Sequence, residues 1–264
     1  MSADEKMSPL AEAMIKYLDC PCEYFAPANH DENIMRAYAE AKERGVKEGF
    51  IPVMVTADDE NLLLMLIANI GSNDAFIAGK YNFDIEDVRA YRRKMLAQPV
   101  VDANEIFSDN IDKVKRWLNE GIFDSMCTDG EQDILDAEPG NALSSYWDYP
   151  GQTLPLILAE IPVKNPWEIF AYVPFGGWNE CPGTQELMSA GMAWYKNYKA
   201  VPAMITSSQL EFVLPEPVDR EGAAKAALDH LAFCIDIMPM SSGDALKYLT
   251  DYISISTVWS FWWD

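Results

Sequence analysis

GFIPVMVT, at 49–56, is a short apolar run with helical periodicity on both sides of it, the alternation expected of a strand joined by helical crossovers. Ahead of it Ile34, Ala37, Tyr38 and Ala41 share one helical face after Asp31, and Gly45 offers a stop. Behind it DDENLLLMLIANIG opens on Asp58, Asp59 and Glu60, acids more economically read as a helix cap than as metal ligands or general acids, and closes on Gly71. CEYFAP supplies an earlier strand, behind a first helix over roughly 5–18 that carries Leu10, Met14, Tyr17 and Leu18.

Two more helices follow, one over 84–98 ending before Pro99 and one from Ser108 to Gly121. Residues 121–153 are rich in Asp, Gly, Ser and Pro and lack periodicity, so they read as a linker or surface excursion. Beyond them LPLILAEIPV and PWEIFAYVPF read as strands, 184–198 as a helix, AVPAMIT and LEFVLP as strands, 219–238 as a helix, 243–253 as a shorter one and TVWSFWWD as a last strand. The order predicts an α/β protein with a mixed, largely parallel sheet flanked by helices, α+β being the alternative. It divides into an N-terminal αβ region (1–120), the 121–150 excursion and a C-terminal domain (151–264). EYFA at 23–26 resembles EIFA at 168–171, and PVMVT at 52–56 resembles PAMIT at 202–206, the pattern of a duplicated strand-helix-strand unit or of chance among buried strands.

The chain's 264 residues are 49% hydrophobic and 12% aromatic, enough for a real core. Twenty basic residues against 42 acidic ones give a formal charge of −22, which repels nucleic acid and anionic membranes and leaves a basic protein or a small molecule as the partner classes. Acids in MSADEKMSPL, the absence of a membrane-length apolar run and five cysteines, an odd number, point to a reduced, cytoplasmic protein.

The chemistry-bearing residues gather around VPFGGWNECPG, 173–183. Gly176 and Gly177 suit a tight turn or an anion-binding backbone, but neither a Walker lysine nor a dinucleotide fingerprint follows. Trp178, Asn179 and Glu180 would line a crevice at the strand ends. Cys181 lies ahead of a helix that Thr184 would cap, where the macrodipole favours thiolate; the competing reading is a small apolar plug. His30 and His230 are the two histidines, and His230 and Cys234, four apart, would leave one helix face. If the loop packs there, Cys181 and His230 form a nucleophile and base, or Cys181, His230 and Cys234, with Glu180 or Asp236, weakly suggest a zinc-like site. No cofactor can be named. DCPC lacks the redox spacing and reads as a turn. WSFWWD would bury aromatics on both strand faces.

NPWEIFAYVPFGGWNECP, WYKNYKAVPAMIT, DHLAFCIDI and the terminal FWWD resemble the bacterial domain of unknown function 4253, over about the last 110 residues. The resemblance implies a shared fold and the pattern residues Trp167, Pro174, Gly176, Gly177, Trp178, Asn179, Cys181, Pro182, Trp194, Tyr195, His230, Phe233, Cys234, Asp236, Trp262, Trp263 and Asp264. It implies no activity. Asp229 stands where the family has glutamate. The expectation is a binding or interaction protein with its crevice at the GGWNECP loop; the alternative is a hydrolase or transferase using Cys181 and His230, with or without zinc.

Overall fold

The computed structural model describes residues 7–70, 81–120, 137–148, 151–237 and 245–263. Cys127, Asp264 and most of the 121–150 excursion therefore lie outside the described residues. Helix α1 (Pro9–Leu18) starts where Ser8 accepts the Ala11 amide and ends on Asp19 at φ 53°, turning the chain into β1 (Cys22–Phe25). Helix α2 (Glu32–Glu48) runs through Gly45 and stops at Gly49, whose φ of 82° feeds β2 (Ile51–Thr56). Asp58 accepts the Asn61 amide and so caps α3 (Asp59–Ile70). Asp84 and Asp102 cap α4 (Ile85–Ala97) and α5 (Ala103–Asn119), the latter starting five residues before the serine favoured by sequence.

The hairpin β3 (Trp147–Asp148) and β4 (Gln152–Thr153) leads into β5 (Leu156–Ile161). PWEIFAYVPF does not form a strand. Pro166–Ala171 is a 3₁₀ helix, because Glu168 accepts the amides of Lys164 and Asn165 and the Asn165 side-chain amide, closing the chain into a turn at its proline. Helix α6 (Thr184–Tyr198) precedes β6 (Val201–Ile205), a tight turn gives β7 (Gln209–Val213), and α7 (Arg220–Phe233), α8 (Ala245–Ile255) and β8 (Val258–Trp262) complete the described chain.

The main sheet has the order β1-β5-β2-β6-β7-β8. Among its pairings only β2 with β6 is parallel; the other four are antiparallel. The sheet is mixed as expected but not largely parallel, because β5 inserts between β1 and β2 and β6–β7–β8 meander. Buried strands read as apolar runs in either direction, so composition does not carry that distinction. The similar segments PVMVT and PAMIT are the parallel pair, with Met54 beside Met204 and Val55 beside Ile205. EYFA and EIFA are a strand and a 3₁₀ helix, so only half of the apparent duplication has matching structure.

Alternation sorts each strand onto two faces. Val53, Val55, Ile157, Ala159, Leu210, Phe212, Trp259 and Phe261 join the larger core beneath α1 and α3–α8, whereas Met54, Leu156, Leu158 and Met204 meet Ile34, Tyr38 and Ala41 of α2 and Leu143 and Tyr146. Trp262 points away from the core and is 41% exposed, so β8 is not buried on both faces. It is an edge strand with nothing packed beyond it in the sheet order.

Residues 137–148 are tied to the sheet by the Gly140 carbonyl, which accepts the Val258 amide, and by one buried carboxylate. Glu211 of β7, 0% exposed, accepts the amides of Ser144 and Ser145 and the hydroxyls of Ser144, Ser145 and Ser260. A buried acid is tolerable only when its lone pairs are met in this way.

Candidate functional site

The chain between the 3₁₀ helix and α6 turns back on itself through three left-handed residues, Gly176 (φ 77°), Gly177 (φ 78°) and Asn179 (φ 48°). The Gly177 amide donates to the Cys181 carbonyl at 3.0 Å, and the Cys181 amide to the Trp178 carbonyl at 2.9 Å. A Cβ on Gly176 would lie 2.0 Å from the Pro182 carbonyl oxygen and 2.8 Å from the Cys181 sulfur, whereas one on Gly177 would meet nothing within 4 Å. Gly176→Ala is therefore expected to cost about 3 kcal/mol or more, from strain plus backbone clash. Gly177→Ala carries only the conformational term, about 1 kcal/mol. Urea unfolding of the two variants checks this, and equal losses would contradict it.

The turn sends Phe175 and Cys181 inward and leaves Asn179 and Glu180 exposed. Phe175 packs on Trp178 and Trp263, at ring separations of 6.3 and 5.5 Å. Beside the loop a cavity of about 240 Å³ is lined by Glu180 together with Asn110, Lys113 and Trp117 of α5 and Phe233 and Ile235. Of the three expected crevice residues, Glu180 lines it; Trp178 is half-buried in the aromatic packing, its indole nitrogen unpartnered among the described residues.

Helix α6 is capped by Gly183, whose amide donates to Glu186 at 2.7 Å, rather than by Thr184, whose hydroxyl pairs with Tyr91. Cys181 is 5% exposed, and burial, the neighbouring Cys234 thiol and the Glu186 charge all push its thiol up. The macrodipole does not win, and the sulfur fits the apolar plug. Cys234 is not on the helix face of His230: α7 ends at Phe233, Cys234 takes an extended backbone, and its sulfur donates to the Trp262 carbonyl at 3.0 Å. Burial pushes its thiol up to about 12. Asp236 sits half-buried in the short turn that follows, 235–237.

His230 is 2% exposed, its ring 4.4 Å from Trp259, 4.9 Å from Phe261 and 5.2 Å from Trp194. Its Nε2 has no partner among the described residues, so no hydrogen bond joins it to Cys181. Nor is any group of three or more His, Cys, Asp or Glu side chains among the described residues placed to hold a metal ion. Both thiols are thus buried, and the imidazole is enclosed by aromatic rings.

Burial alone pushes His230 down to about 3. The folded protein keeps the ring neutral, whereas the unfolded chain takes up a proton below about 6.5, so acid draws the equilibrium toward unfolding from there down to the folded value. Measured against His230→Leu by urea unfolding from pH 7 to pH 4, the native protein should lose about 1.4 kcal/mol more per pH unit below 6. Parallel profiles would refute this.

Residues 157–264 match the family model for a domain of unknown function, DUF4253. The chain is similar to that family over this C-terminal segment, less than half of its length. No curated protein and no solved structure matches the chain. The DUF4253 segment begins one residue into β5 and supplies β5–β8, but β2, from outside it, lies between β5 and β6. Within the DUF4253 segment the residue that sequence reasoning missed is Glu211; an acid inside the apolar run LEFVLP was its signal.

Proposed function

We propose that the protein is a cytoplasmic binding protein in which the DUF4253 loop and the adjoining crevice receive a basic segment of a protein partner. The observation carrying this reading is the division of labour within the loop. Three left-handed residues leave Asn179 and Glu180 exposed, Glu180 at the wall of a cavity, while the thiol is turned into the core. Backbone held in such conformations is commonly found where a surface is shaped for contact. Lys113 lies over the Trp117 ring at 4.5 Å, and α5 also carries exposed Asp109 and Asp112 in a chain of net charge −22. No helix among the described residues is long and apolar enough to cross a membrane. For the hydrolase or transferase alternative, burial pushes the Cys181 thiol up and the His230 imidazole down, both away from an activated pair, and no observation favours it.

The test is calorimetric titration with Lys- and Arg-rich peptides at low and high salt, for the native protein and for Glu180→Lys and Trp117→Ala. Saturable, salt-weakened binding that falls at least about tenfold in Glu180→Lys is expected. Silence toward every basic peptide at low salt, or affinities unmoved by both variants, would overturn it.

A further inference from the structure

Another cavity lies elsewhere, across the end of the sheet where β2 and β6 begin. It measures about 700 Å³ and is walled by the C-terminal half of α2, Phe50, Pro52, Val163, Val201 and Leu214. A second cavity of about 420 Å³ adjoins it along α2, sharing Tyr38, Lys42, Val213 and Leu214. Such volumes with mostly apolar walls and a few polar groups are those of small-molecule sites.

Two features say what kind of molecule. Tyr38, where the cavities meet, is 4% exposed, and its hydroxyl has no partner among the described residues. A buried phenol left unpaired is costly, and a ligand acceptor would satisfy it. Burial also pushes this phenol up, which keeps its proton available for donation. The second feature is charge. Among the described residues no carboxylate lines the larger cavity, while Lys42, Lys164 and Lys199 do. None of the three forms an ion pair among the described residues, whereas nearby Arg44 is taken up by Glu160. Glu43 lines only the smaller cavity.

Lys199 carries a further mark. It ends α6 at φ 60°, as Gly49 ends α2 at φ 82°, each leading into one strand of the parallel pair. Glycine fills that position in one half without strain; lysine fills it in the other despite the steric cost of a left-handed backbone. Its ammonium lies over the Tyr195 ring, 5.2 Å from the centroid, at the cavity wall. Val46, 88% exposed, leaves an apolar side chain at the lip.

We propose that this groove binds a small amphiphile with an apolar body and a carboxylate head, the body lying on Phe50, Val163, Val201 and Leu214 and the head among Lys42, Lys164, Lys199 and the Tyr38 hydroxyl. The site is distinct from the loop crevice and does not depend on it.

The probe is dodecanoate, titrated calorimetrically below its micelle concentration, with dodecanol and dodecyltrimethylammonium beside it. The native protein should bind one dodecanoate, with dodecanol at least tenfold weaker and no binding of the cation. Lys42→Gln combined with Lys164→Gln and Lys199→Gly should weaken dodecanoate at least tenfold, and Tyr38→Phe several-fold, with circular dichroism unchanged. Lys199→Gly alone should raise thermal stability while lowering affinity, a divergence that a merely structural lysine would not give. Glu180→Lys should leave dodecanoate binding intact. Failure to bind dodecanoate, equal binding of dodecanol, or affinities unchanged in both the lysine and the Tyr38 variants would overturn the proposal.

Discussion

Residues 151–264 produced alone will not unfold cooperatively in urea, although they contain the whole DUF4253 match. Two strands of that segment, β5 and β6, are not neighbours; β2 fills the space between them, paired along six residues to β5 and through Met54 and Val55 to β6. Val53, Met54 and Val55 are each 0% exposed. Full burial of a side chain of this size contributes about 1.5–3 kcal/mol, so these three alone compare with a typical total stability of about 5–15 kcal/mol. Removing β2 also leaves two apolar strand edges open, which favours aggregation over a native-like sheet. Adding a separately produced 1–150 fragment should restore native circular dichroism and a single unfolding transition. A sigmoidal transition from 151–264 alone would show that the segment closes its sheet without β2.

Glu211→Ala is expected to cost about 3–5 kcal/mol, the range for stripping one partner from a buried charged network. The loss comes from the donors left behind: two amides and three hydroxyls converge on that carboxylate, and without it they face one another in a dry space. In a domain of this size the melting temperature should fall by about 10 °C. Ser145→Ala, which removes one 2.7 Å bond, should cost only about 1 kcal/mol. Thermal and urea denaturation measure both, and a Glu211→Ala protein as stable as Ser145→Ala would contradict the assigned role. Hydrogen exchange should locate the damage at the Ser144 and Ser145 amides.

How much could be read beforehand depended on how local the deciding force was. Helices α2, α4 and α6 were legible because periodicity and flanking turn residues act within one or two turns. The turn at Gly176 and Gly177 was legible too, since both do adopt the left-handed backbone to which glycine is suited. PWEIFAYVPF misled because its apolar content suits a strand, whereas the side chains of Asn165 and Glu168 fold it into a 3₁₀ turn. Cys181 left two readings open, thiolate and apolar plug. Its place ahead of a helix is local and was read correctly, but the depth at which that helix start is buried is not, and burial set the thiol's protonation.

The sequence by itself determined the alternation of strands and helices, the acidic surface, the DUF4253 pattern and the turn that displays Asn179 and Glu180. Tertiary structure alone decided that β5 runs antiparallel between β1 and β2, that His230 is sealed among aromatic rings, and that Tyr38 and three lysines converge on one groove. Hydrophobic periodicity and turn chemistry are properties of neighbouring residues. Strand order, desolvation and the meeting of distant side chains are set by which surfaces exclude water together, and that is fixed only when the whole chain is packed.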